Sequence, residues 1–549
     1  MNRQARFLLL TSCFALATWA AGCETDNAAQ SGAGGASAGA SGNSALGGAA
    51  GSAGSTQVVA SAGSSGTPNA GSSGAPNSAA GSAGEGGAVS AGGGGAGGAS
   101  GASAGGVAGG ALGEEDPCGP VEGRPVVNIT ADIESDTTWD CSNVYHLTAP
   151  VFVRGTLDVP VTLNVEAGTV ITGAPGNTLT EPKQNPGALI VTPTARILAQ
   201  GSRERPIRFT SPKAPGQRAP ADWGGLVLLG RSTVNTPGGT ATVEGLTDEL
   251  AKKGVYGKVA GAFDDTWSCG TLEFVRIEFA GFKLSGGKEL NALTLGACGS
   301  GTVVSHVQAH RGFDDGVEVF GGSVNLRHVV VSGAQDDGLD WDLGWNGRAQ
   351  YLVIQQFEGR ADKGIEGNGY ETIDKVGEQR WSSPTLYNAT LIGKPDKTGI
   401  YLRVGSGLAS HNAAVLGFGV NVHVADALTA DRLASNELLI QHTALYDAWR
   451  SGNAVKDSNG KEWLERVWFA PPSEGALGNT VLSGEEAVLS KLLVSASETA
   501  PDYRPALGAP LSSGGTEPPD PWFEATAYRG AFAPNGAAWT SGWTEFPVD

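Results

Sequence analysis

The sequence predicts an all-β fold, a parallel β-helix, and three observations carry that prediction. First, glycine, apolar, polar, apolar recurs five times, in Gly316-Val317-Glu318-Val319, Gly338-Leu339-Asp340-Trp341-Asp342, Gly364-Ile365-Glu366-Gly367-Asn368, Gly399-Ile400-Tyr401-Leu402-Arg403 and Gly419-Val420-Asn421-Val422-His423. Glycine separations of 22, 26, 35 and 20 residues are the period of a solenoid coil. Second, an alternating segment precedes each copy: His306-Val307-Gln308-Ala309-His310, His328-Val329-Val330-Val331-Ser332, Tyr351-Leu352-Val353-Ile354-Gln355, Asn388-Ala389-Thr390-Leu391 and Asn412-Ala413-Ala414-Val415. Third, coils this short leave no room for crossover helices, so equivalent strands must stack as parallel sheets with rungs about 4.8 Å apart. Alternation then assigns two inward columns: Val317, Leu339, Ile365, Ile400, Val420 and Val319, Trp341, Gly367, Leu402, Val422. The first is wholly aliphatic, and in the second Trp341 sits beside Gly367, large against small.

The elements follow in chain order. Arg3 and Arg6 precede an apolar run, Phe7 to Ala21, too short for an ordinary membrane span and suited to a signal peptide over 1–22. It ends Ala20-Ala21-Gly22-Cys23, which resembles the lipobox of bacterial lipoproteins and makes Cys23 the acylated residue; Ala20 departs from the preferred Leu. A rival at Cys13 has too short an apolar run before it. Residues 23–116 carry the lipidated cysteine and a Gly/Ala/Ser-rich tether that cannot build a core, with a random-coil reach of roughly 50 Å. A lipid, a tether and a rigid rod form the layout of a domain held out from a membrane.

The rod is expected over 117–430. Thr162-Leu163-Asn164-Val165, Ala188-Leu189-Ile190-Val191, Pro206 to Ser211 and Trp223 to Leu229 read as its early strands, and 173–184 as a projecting loop. Cys269 and Cys298, 29 residues apart, are expected to pair from equivalent places on adjacent coils, and Cys118 with Cys141 at the N-terminal end. The region 431–549 breaks the period and reads as a cap over the open end, or a lid along one side. It carries an amphipathic helix at 485–494 and the aromatic residues Trp522, Phe523, Tyr528, Phe532, Trp539, Trp543 and Phe546.

A net charge of −19 argues against nucleic acid or anionic lipid as partner and suits cations or neutral sugars. The outward columns, Glu318, Asp340, Glu366, Tyr401, Asn421 and then Phe320, Asp342, Asn368, Arg403, His423, form a polar face that is acidic at one end and carries Arg403 and His423 at the other. Stacked carboxylates repel, so they raise one another's pKa or take a cation. Calcium suits Asp314, Asp315, Asp336, Asp337 and Asp362, which gather at one turn. The same Asp-Asp-Gly strings are also what tight turns prefer. Asp340 and Asp342 are about 7 Å apart along a strand, within the range of an inverting glycosidase pair, while Asp340 and Glu318 on neighbouring rungs approach the retaining distance. His306 and His328 are rung neighbours, and stacking on Tyr351 is preferred to metal binding. No nucleophile elbow, P-loop or zinc motif occurs.

Gln335-Asp336-Asp337, with Asp314-Asp315 one coil earlier, is similar to the aspartate cluster of polygalacturonase-type β-helix hydrolases; the Gly-His-Gly and Arg-x-Lys strings of that family are absent. More broadly the chain resembles secreted or lipid-anchored β-helix proteins of Gram-negative bacteria, with a pectate-lyase or polygalacturonase-like architecture. The likeness lies in Asp222-Trp223-Gly224-Gly225, Glu289 to Gly296, Asp336 to Gly344, Tyr528-Arg529-Gly530-Ala531-Phe532, Trp539 and Gly542-Trp543-Thr544. That resemblance implies a right-handed helix at the outer membrane or cell surface and brings no activity with it. The expectation is therefore a monomeric surface lipoprotein that binds extracellular polysaccharide or a surface protein, assisted by calcium. The alternative is a glycoside hydrolase or polyuronate lyase using Asp336, Asp337, Asp340 and Asp342, with Arg403 on the substrate carboxylate, and a purely structural envelope protein stands third.

Overall fold

A computed structural model describes residues 117–179, 183–372, 380–451 and 454–549, all within one compact unit spanning 106–549. Cys13, Cys23, the signal segment and the tether lie outside the described residues.

The body is a right-handed parallel β-helix. One face is a nine-stranded parallel sheet: β1 (Pro150–Val153), β2 (Ala188–Val191), β3 (Gly225–Leu229), β4 (Leu293–Gly296), β5 (Val317–Phe320), β6 (Leu339–Asp342), β7 (Lys363–Asn368), β8 (Thr398–Arg403) and β9 (Val420–Val424). The other strands of each coil join a second parallel array and bend sharply where one residue adopts positive φ. Phe274, His306, His328, Tyr351, Asn388, Asn412 and His442 occupy that bend on successive coils, with φ between 49° and 61°. Such a conformation is unusual for residues other than glycine, asparagine and aspartate.

Register makes the core. Val151, Leu189, Leu226, Leu293, Val317, Leu339, Ile365, Ile400 and Val422 pair rung to rung along the whole sheet, and each is buried. At about 1.5–3 kcal/mol per buried aliphatic side chain, this column is a principal source of stability. Gly338 opens β6 because the strand behind it comes close: a Cβ there would lie 2.4 Å from Ile354. The Trp341–Gly367 pairing is equally tight, since a Cβ on Gly367 would lie 2.4 Å from the Trp341 ring.

The fifth repeat is displaced by two residues from the register expected. Ile400 pairs with Val422 and Tyr401 with His423, so Val422 takes the place assigned to Val420, and Val424 that assigned to Val422. Gly419 is not a strand-opening glycine; it lies under the preceding corner, where a Cβ would meet the Pro395 carbonyl at 2.0 Å. The main-chain N–H groups of both Gly419 and Val420 bond the Lys397 carbonyl.

Both expected disulfides are present, Cys118–Cys141 and Cys269–Cys298. Cys269 and Cys298 do not hold equivalent places, however. Cys269 immediately precedes the strand Gly270–Glu278, whereas Cys298 lies in the corner that leaves β4, and the pair closes a corner shared by neighbouring coils.

Beyond β9 comes the helix α1 (Ala427–Ala434), capped by Asp426, whose side chain accepts from the Thr429 N–H. A further partial coil follows, through Leu438–Gln441, Ala444–Tyr446 and Thr480–Leu482, so the period persists past residue 431. The helix expected over 485–494 is broken into a 3-10 turn at Gly484–Ala487, one helical turn at Leu489–Leu492 and the strand Leu493–Ser495. The chain then runs back along the side of the rod as a strap. Asn412 exchanges two hydrogen bonds with the Thr516 main chain, Gln350 two with Glu524 and Gln308 two with Glu545. Under the strap Phe274, His306, His328 and Tyr351 stack at centroid separations of 4.3 to 4.8 Å, covered by Trp539 and Trp543.

Candidate functional site

The outward side of β5 to β8 forms the floor of a trough of about 810 Å³. Strand alternation turns Glu318, Asp340 and Glu366 outward on successive rungs, beside Asp342, Asn368 and Arg403. The corners before β5 and β6 add Asp314, Asp315, Asp336 and Asp337 to its wall.

Within each Asp-Asp pair the two residues divide their work. Asp315 is buried, and its carboxylate accepts the Asp337 N–H at 2.8 Å. Asp337, also buried, accepts the Lys363 N–H at 2.7 Å, so each second aspartate ties its coil to the next. The first members, Asp314 and Asp336, leave oxygens open to the trough, as does Asp362 at its margin; Asp336 and Asp362 are exposed and Asp314 half-buried. Carboxylate oxygens come together in four triads, each within 4.8 Å: Asp314, Asp315 and Asp336; Asp336, Asp337 and Asp362; Asp315, Glu318 and Asp340; Asp337, Asp340 and Glu366. Asp340 belongs to two of them, and its Oδ1 is buried with no hydrogen-bond partner among the described residues.

The lining carries eleven carboxyl groups, Glu244, Glu289, Asp314, Asp315, Glu318, Asp336, Asp337, Asp340, Asp342, Glu366 and Glu371, against two cations, Lys363 and Arg403. Burial, reinforced by neighbouring carboxylates, pushes Glu244 and Asp314 up to about 8. Burial likewise holds Asp342 at about 7 and Asp315, Glu318, Asp337 and Asp340 well above the usual carboxylate range. Glu318 accepts a hydrogen bond from the Asn291 amide at 2.5 Å and shares another with Glu244.

Both cations are already engaged. Glu366 lies between Lys363, at 2.7 Å, and Arg403, at 2.8 Å. Lys363 also meets Asp362, and Arg403 donates to Asn368 at 2.6 Å. Burial opposes the Lys363 charge, but Asp337, Glu366 and Asp362 outweigh it and hold the ammonium above the ordinary lysine range.

Not all the expected face belongs to this trough. Tyr401 and His423 meet edge-on at 4.9 Å outside it. Asn421, expected as a ligand residue, is fully buried, and its amide donates to the Tyr446 carbonyl and to that of Ala448 at 2.7 Å. The two-residue displacement of β9 puts it at the corner of the next coil, where it closes the fold. His423 consequently neighbours Tyr401 rather than Arg403.

Several wall residues do not lie on the repeat. Glu244, Tyr256 and Glu289 come from the long excursion between β3 and β4, which carries the hairpins Thr240–Thr242 with Val255–Gly257 and Phe282–Ser285 with Lys288–Leu290. The signal available in the sequence was the length of that one coil, much longer than its neighbours.

A family description, pectate-lyase like beta helix domain, matches residues 131–467. Among solved structures, the crystal structure of pectate lyase Pel9A is similar over 75% of this chain and 87% of that one, at 10% identity and a TM-score of 0.34. No curated protein matches.

Proposed function

The chain belongs to the pectate-lyase-like β-helix family, and we propose that its trough binds polysaccharide with the help of a divalent cation, calcium by preference. The observation that supports this reading is Asp340, a carboxylate common to two triads with one buried oxygen left without a partner. Such an atom costs free energy unless something bonds it. The donors gathered there are all carboxylate oxygens, which suits a hard ion that takes six to eight of them. Asp337, Asp340 and Glu366 are the residues to hold it, with Asp315 and Glu318 as the neighbouring set and Asp314, Asp336 and Asp362 at the corners. A bound cation supplies positive charge and open coordination positions for sugar hydroxyls or carboxylates. Glu318, Asp342, Asn368 and Arg403 offer the sugar hydrogen bonds along the floor.

Catalysis is the second reading, favoured by Asp342 and Glu244, which keep a proton near neutrality and so match a general acid. Elimination has less support, because Lys363, ion-paired and held above the ordinary range, is a poor base. The placement we propose is export by the signal segment and anchoring through Cys23 at the cell surface.

A glycan array with and without chelator, followed by reducing-end and unsaturated-product assays on each bound glycan, tests the reading. Binding lost in chelator and in Asp340→Asn, with no product formed, supports it. Binding unaffected by both removes the cation, and product formation that Asp340→Asn abolishes replaces the binding reading with catalysis.

A further inference from the structure

At the N-terminal end of the rod, remote from the trough in the fold, lies a cavity of about 270 Å³ walled by Arg124, Arg205, Arg208 and Arg276, with Glu204 and Glu545. Four guanidinium groups around one small cavity stand out in a chain of net charge −19. They arrive from separate elements. Arg208 lies on Ile207–Thr210 and pairs in register with Arg276 on Gly270–Glu278, so the two are stacked one rung apart, about 4.8 Å. Arg205 comes from the turn before that strand.

Three of the four have their partners. Arg276 is buried between Glu278, at 3.0 Å, and Glu545 of the strap, at 2.9 Å. Arg124 donates to the Gly119 and Gly168 carbonyls, and Arg205 approaches Cys118 Sγ at 3.8 Å. The Arg208 guanidinium makes no hydrogen bond or ion pair with any described residue, although Glu278 and Glu545 are near enough to act on it. Burial and the neighbouring Arg276 both disfavour its charge. A chain that stacks two guanidinium groups and supplies a carboxylate to one leaves the other short of an anion.

We propose that this cavity binds a phosphate or sulfate group, free or as a sugar monoester, on Arg208 with Arg205 beside it. Guanidinium donors approaching from different elements suit a tetrahedral oxyanion, whose oxygens point several ways, better than a planar carboxylate; the carboxylate position is already taken by Glu545.

The test is a phosphorus NMR titration of the whole chain with inorganic phosphate. Saturable broadening is expected, with Arg208→Gln weakening affinity at least tenfold while slow exchange of the Glu545 amide, bonded to Gln308, reports the strap still seated. Sulfate should displace phosphate and acetate at equal concentration should not. Glucose 6-phosphate binding as tightly as phosphate identifies the monoester as the ligand, and its exclusion leaves the free ion. Affinity unchanged in Arg208→Gln, or displacement by acetate as effective as by sulfate, overturns the proposal. Should Arg208→Gln release the strap, Arg205→Gln is titrated in its place, and unchanged affinity there is equally decisive.

Discussion

Asp337 carries two demands that pull in opposite directions. Its carboxylate holds the Lys363 N–H of the next coil at 2.7 Å, a bond that favours ionisation, while burial and the charges of Asp336, Glu366 and Asp340 keep its pKa well above normal despite Lys363. The buried N–H decides what substitution does. Asp337→Ala leaves it unpaired and is expected to cost about 1–3 kcal/mol, read as a lower urea midpoint at unchanged slope. Asp337→Asn keeps an acceptor and sheds the charge, so it should recover most of that loss. Asp336, exposed at the trough, should shift stability little as Asp336→Asn while weakening calcium affinity. The Asp-Asp-Gly strings were legible as a repeated unit that could serve a turn or a ligand. Which aspartate serves which depends on where each carboxyl points relative to the following rung, and a sequence does not carry that.

Elements fared differently according to whether their partners are one coil away or many. Strands β5 to β8 could be aligned from their glycines because each packs on a neighbour with the same pattern. At β9 the preceding corner slides Gly419 beneath Lys397, and pattern alone placed Asn421 two residues out of register. The hairpins bearing Glu244 and Glu289 escaped notice because they interrupt the period. The strap was visible as an aromatic tail, but its anchors are amide side chains far away in sequence, each imitating one peptide group of a missing strand. Gln350 is the clearest, buried and bonded to both the N–H and the carbonyl of Glu524. Gln350→Leu removes both bonds and should raise the exchange rate of the Glu524 amide about tenfold or more, equivalent to at least about 1.4 kcal/mol of local stability. Amides of β2 and β3, far from the strap, should exchange as before; a uniform loss of protection would mean that strap and rod unfold as one.

Across the whole molecule two sets of buried and half-buried groups set opposite limits on pH. Under the strap His306 is held at about 4 and His310 and His328 at about 3, chiefly by burial. An imidazole whose folded pKa lies below its unfolded value near 6.5 contributes stability above 6.5 and loses it as pH falls towards 3–4. The trough acts with the other sign. Glu244 and Asp314 at about 8 and Asp342 at about 7 bind protons more tightly folded than unfolded. Their contribution is therefore intact below about 4 and drains away as pH rises to 7–8, at about 1.4 kcal/mol per pH unit for each group. Glu244, Asp314 and Asp342 titrate within the interval from 6.5 to 8, so in chelator the melting temperature should fall steadily across it. Millimolar calcium should flatten the fall at pH 8 and change little at pH 5, where protons already occupy the carboxyls. Asp340→Asn should shrink the calcium-dependent rise. A melting temperature that is flat from 6.5 to 8 in chelator would mean that the trough neutralises its own charge, and the case for a cation there would go with it.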